Sequence, residues 1–389
     1  MKRSIAPARE TVLWRYAFRP FYLLASIFGA VSILLWIAQH AGLLPSAYLS
    51  GPLWHGHEML FGFAAAVIAG FLLTAVATWT QQPPLRGPPL MALALLWLAG
   101  RVLVLSPMPT AAAIVVPLFP IAVAAALSVP LIRTGNRRNY VFVALLALLG
   151  LMAAGVHLAA MGLLRAPATL GLQVGLDVVL LTIVVIAGRV VPMFTNNGVP
   201  GAGATRRPLL EKLCIGSIVL LLVLDLSAGT PQLAALVAAL AALAHTARLY
   251  LWQPWRTLRV PLVWILHAAC AWIVVHLALR GLAGLGWVSP SLATHALTIG
   301  AIGGMTIGMM TRTARGHTGR PLHAGRPEAA MFVLVQISAL VRVAGGILAP
   351  EAYLGSVQLS GVLWSAAFTL YALFYWRALT SPRADGKPG

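Results

Sequence analysis

Twelve long apolar runs, separated by short segments rich in Pro, Gly and Arg, limit what this chain can fold into. A helix needs about 20 mostly apolar residues to cross the hydrocarbon core of a bilayer, and each run is close to that length. The runs cover residues 20–42, 54–79, 89–107, 110–132, 139–164, 168–195, 209–228, 231–252, 260–283, 291–313, 328–349 and 352–376. We predict an all-α, polytopic bundle of twelve transmembrane helices over 20–376, with tails over 1–19 and 377–389.

The composition agrees with a membrane protein. Hydrophobic residues make up 60% of the chain, charged residues only 9%, and the mean hydropathy is +0.89. A soluble globular domain has about 25% charged residues. Apolar surface on this scale must face lipid or other buried helices. The two cysteines, Cys214 and Cys270, lie inside apolar runs and are expected to be small buried hydrophobes rather than a disulfide or a metal site.

The basic residues predict the orientation of the bundle. If the twelve runs alternate in direction, 22 of the 27 Lys and Arg residues fall in segments on one side, and only Arg165 and Arg280 fall on the other. Arg101, Arg189 and Arg342 remain within runs. Cytoplasmic loops are enriched in Lys and Arg, so both tails are predicted to be cytoplasmic. The net charge of +19 therefore indicates a lipid bilayer partner and no nucleic acid, since no soluble domain or recognition motif accompanies it.

The histidines cluster by predicted depth. Six of the ten are predicted in the outer half of the membrane or at its outer edge: His40, His55, His57, His157, His276 and His295. Ionisable residues inside a membrane usually face the bundle interior and serve a function. Neutral imidazole is a common ligand of Fe, Cu and Zn. Hard cations need several oxygen ligands, and this half offers mainly Glu58 and Asp177. We predict a metal or haem site there.

The segment His55-Gly56-His57 raises a question of geometry. On an α-helix, side chains two residues apart are separated by about 200° around the helix axis. The two imidazole rings would therefore point to nearly opposite sides. Either two centres flank this helix, or the segment is a loop that holds one ion. Glu58 follows directly, and it either orients a histidine, moves protons, or is a headgroup-level carboxylate.

Three further polar residues within runs are candidate site residues. Arg101 is predicted near the outer side, where it would pair with an anionic group such as a haem propionate. Asp177 would pair with a cation or with a metal-ligating histidine. Arg189 would bind an anionic group such as a haem propionate or extend to the inner interface, and its predicted depth near the inner face disfavours contact with a haem at the outer face.

Motifs along nearly the whole chain resemble the NnrS family. They are FRPF at 18–21, WHGHEMLFGF at 54–63, AGFLLTAVATWT at 69–80, GRVVPMFTNNGV at 188–199, PLVWILHAACAW at 261–272 and HALTIGAIGGMTIGMMTRTARGHTGRPL at 295–322. The chain has WHGH where the family pattern suggests WHAH, which leaves the ligating side chains intact. The family's histidine-bearing motifs fall on His55, His57, His267, His295 and His317.

The resemblance implies a bacterial inner-membrane protein with about twelve spans that contains haem and copper. Members are associated with the response to nitric oxide and nitrosative stress, often beside denitrification genes. The implied partners are nitric oxide or a related small molecule and an electron donor that the sequence does not identify.

The assignment of residues to the implied cofactors is our interpretation. A b-type haem held between two helices needs a histidine from each, which favours His57 with His295, and Arg101 for a propionate. Copper or a second haem would use His55 with His157 or His276, and His267 would reach a centre nearer the middle of the bilayer. Glu58 is the candidate catalytic group, and His317 is expected to bind an anion or pack an inner turn.

Three functions are compatible with these features. The first is a haem–copper oxidoreductase that reduces or oxidises nitric oxide, or relieves its damage to cellular iron. The second is a transporter of a metal or a nitrosyl-iron species, with the histidines along its path. The third is a haem-binding sensor without turnover.

Overall fold

The predicted twelve-helix bundle is confirmed by a computed structural model, which describes residues 11–44, 48–227 and 229–387. Apart from short 3-10 turns and loops, these residues are helical and form no strand. The helices are α1 Phe18–His40, α2 Gly51–Thr80, α3 Pro88–Leu105, α4 Pro109–Arg133, α5 Tyr140–Ala160, α6 Ala168–Gly198, α7 Pro208–Leu226, α8 Pro231–Leu251, α9 Pro261–Gly284, α10 Pro290–His317, α11 Arg326–Leu348 and α12 Tyr353–Thr380. Residues 1–10 and 388–389 of the predicted tails lie outside the described ranges.

Eleven of these helices are long and apolar enough to cross a membrane. The other one, α7, has 19 residues and carries Glu211, Lys212 and Asp225. Its two carboxylates bind arginines of neighbouring helices, Glu211 with Arg248 at 3.1 Å and Asp225 with Arg280 at 2.6 Å. Charges inside a bundle are tolerated when they are paired, so α7 fits among apolar helices despite its composition.

Proline positions many of the helix starts. Helices α3, α4, α7, α8, α9 and α10 all have Pro in the first turn, where its missing N–H is not needed and its φ angle already suits a helix. These starts follow loops of only a few residues, so consecutive helices pack as antiparallel neighbours. The first helix, α1, packs against both α2 and α12 and so brings the two ends of the chain together.

Three helices form the centre of the bundle. In the most apolar stretch of each, 78% of the residues of α2, 72% of α6 and 78% of α10 are buried, against 33% for the span that contains α12 and 39% for α11. All three run in the same direction, and their first turns lie at one end of the bundle. We call this end, where α2, α6 and α10 begin, the histidine end.

Two of the central helices contain a π-helical stretch. One covers Glu58–Ala64 in α2 and begins directly after His57, and the other covers Ala296–Gly303 in α10 and begins directly after His295. Helical stretches with i→i+5 hydrogen bonds are rare in proteins. Where they occur, they are often at functional sites. Their position marks the two histidines as residues whose orientation the fold controls.

The close approach of α9 and α10 depends on a glycine and gives a test of the packing. A Cβ on Gly300 would overlap the Trp272 indole, whose Nε1 donates to Gln336 Oε1 at 2.9 Å. We expect Gly300→Ala to lower the free energy of unfolding by about 1–3 kcal/mol, as overpacking does. The unfolding midpoint of the purified protein in detergent measures this. Gly216→Ala is the control, since a Cβ there meets nothing within 4 Å; equal effects of both substitutions would contradict the packing argument.

Candidate functional site

The beginning of α2 is helical, which answers the question raised by its two histidines. Gly51–His57 forms α-helix with Pro52 in the first turn. His55 and His57 therefore point to different sides, and their surroundings are separate. His55 faces a large cavity among the central helices, whereas His57 contacts α5.

The cavity beside His55, which we call the histidine cavity, has a volume of about 530 Å³. Such a volume is typical of small-molecule and cofactor sites. Its walls are mainly apolar and include Leu60, Phe63, Leu172, Leu176, Ile299 and Trp364. Its rim contains Pro52, Thr169 and Pro290, which are exposed and belong to the first turns of α2, α6 and α10. The cavity is therefore next to the histidine end of the bundle.

Two imidazoles line this cavity from different helices. His55 stacks on the Trp36 indole, with ring centroids 5.1 Å apart and ring planes 14° apart. His295 lines the cavity from α10, and its Nδ1 lies 2.7 Å from the Ser291 carbonyl oxygen. A carbonyl can only accept, so Nδ1 carries the proton and Nε2 keeps a lone pair. A backbone carbonyl on the other ring nitrogen is the usual way in which a metal-ligating histidine is oriented.

Arg342 of α11 gives the cavity a buried positive charge. Its side chain is only 4% exposed, and its Nη2 donates to Ser291 Oγ at 3.2 Å and to the Tyr353 hydroxyl at 3.0 Å. Its Nη1 has no acceptor within the described residues. The N-termini of α2, α6 and α10 add partial positive charge at the rim. An anionic group in the cavity would satisfy this guanidinium.

On the other side of α2, five side chains form one hydrogen-bonded chain. Tyr48 Oη lies 2.6 Å from His157 Nδ1, and His157 Nε2 lies 3.1 Å from His57 Nε2. His57 Nδ1 lies 2.7 Å from Glu58 Oε1, which also accepts from Arg101 Nη1 at 2.6 Å. Apart from Tyr48, every member of the chain is buried.

Hydrogen-bonding rules assign a direction to this chain. The Glu58 carboxylate beside Arg101 is an acceptor, so His57 Nδ1 donates to it, and neutral His57 has a lone pair on Nε2. His157 then donates from Nε2 and accepts at Nδ1 from the Tyr48 hydroxyl. Burial, assisted by Glu58, raises the pKa of Tyr48, which keeps that hydroxyl protonated and able to donate. Tyr48, His157 and His57 therefore donate in sequence toward Glu58, and Arg101 donates to Glu58 from its other side.

The facing nitrogens of His57 and His157 can also serve as metal ligands. Metal–imidazole bonds of about 2.0–2.1 Å place two ligands of one ion roughly 3–4 Å apart, which includes the observed 3.1 Å. Each ring is oriented by a second partner, Glu58 for one and Tyr48 for the other. Among the residues that the structure describes, no group of three His, Cys, Asp or Glu side chains converges as a metal site. The pair therefore offers two imidazoles rather than three.

The structure groups the predicted residues differently from the sequence interpretation. His295 shares the histidine cavity with His55, whereas His57 is absent from its lining and meets His157. Arg101 binds Glu58 instead of lining the cavity. His276 Nδ1 donates to the Ala293 carbonyl at 2.8 Å, away from His157. The physical reason is helix rotation, because residues at equal depth face one another only if their helices turn the right sides together.

Four other predicted residues lie outside these two groups. Asp177 accepts from Arg280 at 2.8 Å, so its partner is a cation. His267 Nε2 lies 2.7 Å from Thr195 Oγ1, and Arg189 donates to Asn139 Oδ1 at 2.6 Å. His317 packs near Phe18 and Tyr16, with ring centroids 5.4 Å and 6.1 Å away, at the opposite end of the bundle.

Arg342 is the residue that the sequence interpretation missed. The available signal was its position within an apolar run, where an unpaired arginine usually faces the bundle interior. The same criterion selected Arg101 and Arg189, and nothing in the sequence ranked the three. Only the packing of α10 and α11 brings Arg342 to the cavity.

Comparison with known proteins gives one match. The family profile described as NnrS protein matches residues 12–383, nearly the whole chain. No curated protein and no solved structure matches the chain.

Proposed function

Because the chain belongs to the NnrS family, we propose that it is a haem- and copper-containing membrane protein that acts on nitric oxide, by turning it over or by limiting nitrosative damage. The many membrane-spanning helices indicate a multi-pass membrane protein, and we place it in the bacterial inner membrane. The observation that carries the proposal is the histidine cavity, where two imidazoles from different helices meet an arginine whose Nη1 has no acceptor among the described residues.

We assign the b-type haem to the histidine cavity. The chemistry of the lining suits it, since apolar walls would contact the macrocycle and His55 and His295 would offer imidazole ligands from separate helices. The Arg342 Nη1 group, which lacks an acceptor, would bind a propionate. When bound, haem iron would supply redox chemistry and, where only one of the two imidazoles holds it, a coordination position for nitric oxide. The residues of the chain orient His295 through Ser291 and exclude water with apolar side chains.

We assign copper to the pair His57 and His157. Imidazole is a suitable copper ligand, and the Glu58 and Tyr48 contacts hold both rings with nitrogens facing each other. His55 and His57 would then connect two centres through one turn of α2. In this arrangement Glu58 is a positioning residue that holds His57, and Arg101 holds Glu58.

The absorption spectrum and metal content of the protein purified from membranes test this proposal. We expect a Soret band that shifts when nitric oxide is added anaerobically, and copper that remains with the protein through purification. Steady consumption of nitric oxide with an electron donor would show turnover, whereas binding without consumption would indicate a sensor. No Soret band in any preparation, together with metal uptake into vesicles, would contradict the haem assignment and favour a transporter.

A further inference from the structure

A second buried polar group lies beside the histidine cavity and has no part in the assignments above. Arg280 of α9 donates to Asp177 of α6 at 2.8 Å and to Asp225 of α7 at 2.6 Å. The side chain of Asp177 is fully buried, and no donor reaches its Oδ2 among the described residues. We call these three residues the Asp177 trio.

The charges of the trio do not balance without a proton. Two carboxylates beside one guanidinium leave one negative charge, and burying an uncompensated charge costs several kcal/mol. Asp177 and Asp225 bind the same guanidinium, so their carboxyl groups lie close together, and two carboxylates at one site repel each other unless one is protonated. His276, one turn before Arg280 on α9, is a titratable group near the trio, and its Nδ1 donates to a backbone carbonyl. A proton on one carboxyl neutralises the trio.

The trio connects the histidine end of the bundle with the cavity. Asp225 and Arg280 retain 16% and 13% exposure of their side chains, whereas Asp177 has none. Gln173, one turn before Asp177 on α6, donates to Asp177 Oδ1 at 3.4 Å and lines the histidine cavity. Polar groups therefore extend from the partly exposed Asp225 to the cavity through α6.

We propose that the Asp177 trio holds one exchangeable proton and that Asp177 supplies it to reactions in the histidine cavity, with Gln173 holding the Asp177 carboxyl group at the wall of that cavity. This inference rests on the proposed function and takes its reductive form. Two nitric oxide molecules join through an N–N bond, one N–O bond breaks, and the oxygen leaves as water. The products, nitrous oxide and water, require two protons and two electrons. A quinol or a reduced cytochrome supplies the electrons, and the trio delivers the protons in turn and is reprotonated from the aqueous face.

Infrared spectroscopy of the metal-free protein tests whether the proton is held there. We expect a carboxylic acid C=O band at neutral pH that disappears in Asp177→Asn. This substitution keeps the shape of the side chain and leaves Arg280 paired with Asp225, so folding should be retained. The control is Asp385→Asn, which removes an exposed carboxylate bound to Arg383 and should leave the band unchanged. A band that persists in Asp177→Asn, or is absent from the unsubstituted protein, would overturn the proposal.

Turnover tests whether the proton is delivered. In protein with normal haem content, Asp177→Asn is expected to lower nitric oxide consumption about 100-fold, in the range of general acid catalysis. Gln173→Ala should lower nitric oxide consumption similarly while it keeps the infrared band, because it frees the Asp177 carboxyl group from the cavity wall but leaves the trio intact. Unchanged turnover in Asp177→Asn would contradict the delivery step. An infrared band without any nitric oxide consumption by the unsubstituted protein would instead contradict the reductive form of the proposed function.

Discussion

Replacing His295 with Ala is expected to lower the amount of haem bound per protein at least about tenfold. Loss of a ligand should cost no less than loss of a residue that orients a ligand, which lowers metal affinity about 10–100-fold. His55→Ala should have a comparable effect, because His55 and His295 line the same cavity from separate helices. His57→Ala and His157→Ala should keep the haem and lose copper, because these two rings face each other on the other side of α2. The Soret absorbance per protein and metal analysis of each variant measure both quantities.

His323→Ala is the matched control for these four substitutions, since His323 is exposed in the loop at the opposite end of the bundle. It should retain both cofactors. Loss of haem in His57→Ala with retention in His55→Ala would contradict our assignment and restore the pairing of His57 with His295. Loss of both cofactors in all four variants would indicate one shared centre rather than two.

Arg101→Met is expected to lower the free energy of unfolding by about 3–5 kcal/mol, because it leaves the Glu58 carboxylate buried without its cation. The Arg101–Glu58 contact is 2.6 Å long, and the two side chains are 8% and 1% exposed. Titration with a denaturing detergent, followed by circular dichroism, measures the change. Adding Glu58→Gln to Arg101→Met should recover part of the loss, since the double variant buries no unpaired charge at this position.

Arg189→Met is the comparison for that experiment. Arg189 also lies within an apolar run, but it is only partly buried and binds the uncharged Asn139 side chain. Its loss should lower the free energy of unfolding by about 1.5–3 kcal/mol, the value of a hydrogen bond to a charged group, and so by less than the loss of Arg101. Equal effects of Arg101→Met and Arg189→Met would show that the Glu58 charge is compensated by other means.

The sequence alone predicts a polytopic helical membrane protein, because the length of each apolar run matches the thickness of a bilayer. The run predicted at 209–228 is instructive, since its charges make it the least typical span, yet it forms helix α7 in the bundle. Its charges are accommodated through Arg248 and Arg280 on neighbouring helices. The tertiary contacts explain how α7 fits into the bundle. The alternation of basic loops predicts that it is one of twelve helices.

The helices, their order and the position of each histidine along its helix can be predicted from the sequence, and the two-residue spacing of His55 and His57 implies that their rings diverge if the segment is helical. Which residues meet depends on the tertiary structure. It paired His57 with His157 and placed His295 and Arg342 beside His55. Depth depends on the count of residues along one helix, which a sequence contains. Contact depends also on how each helix is rotated about its axis and which helix lies beside it, and these are set by packing across the whole bundle.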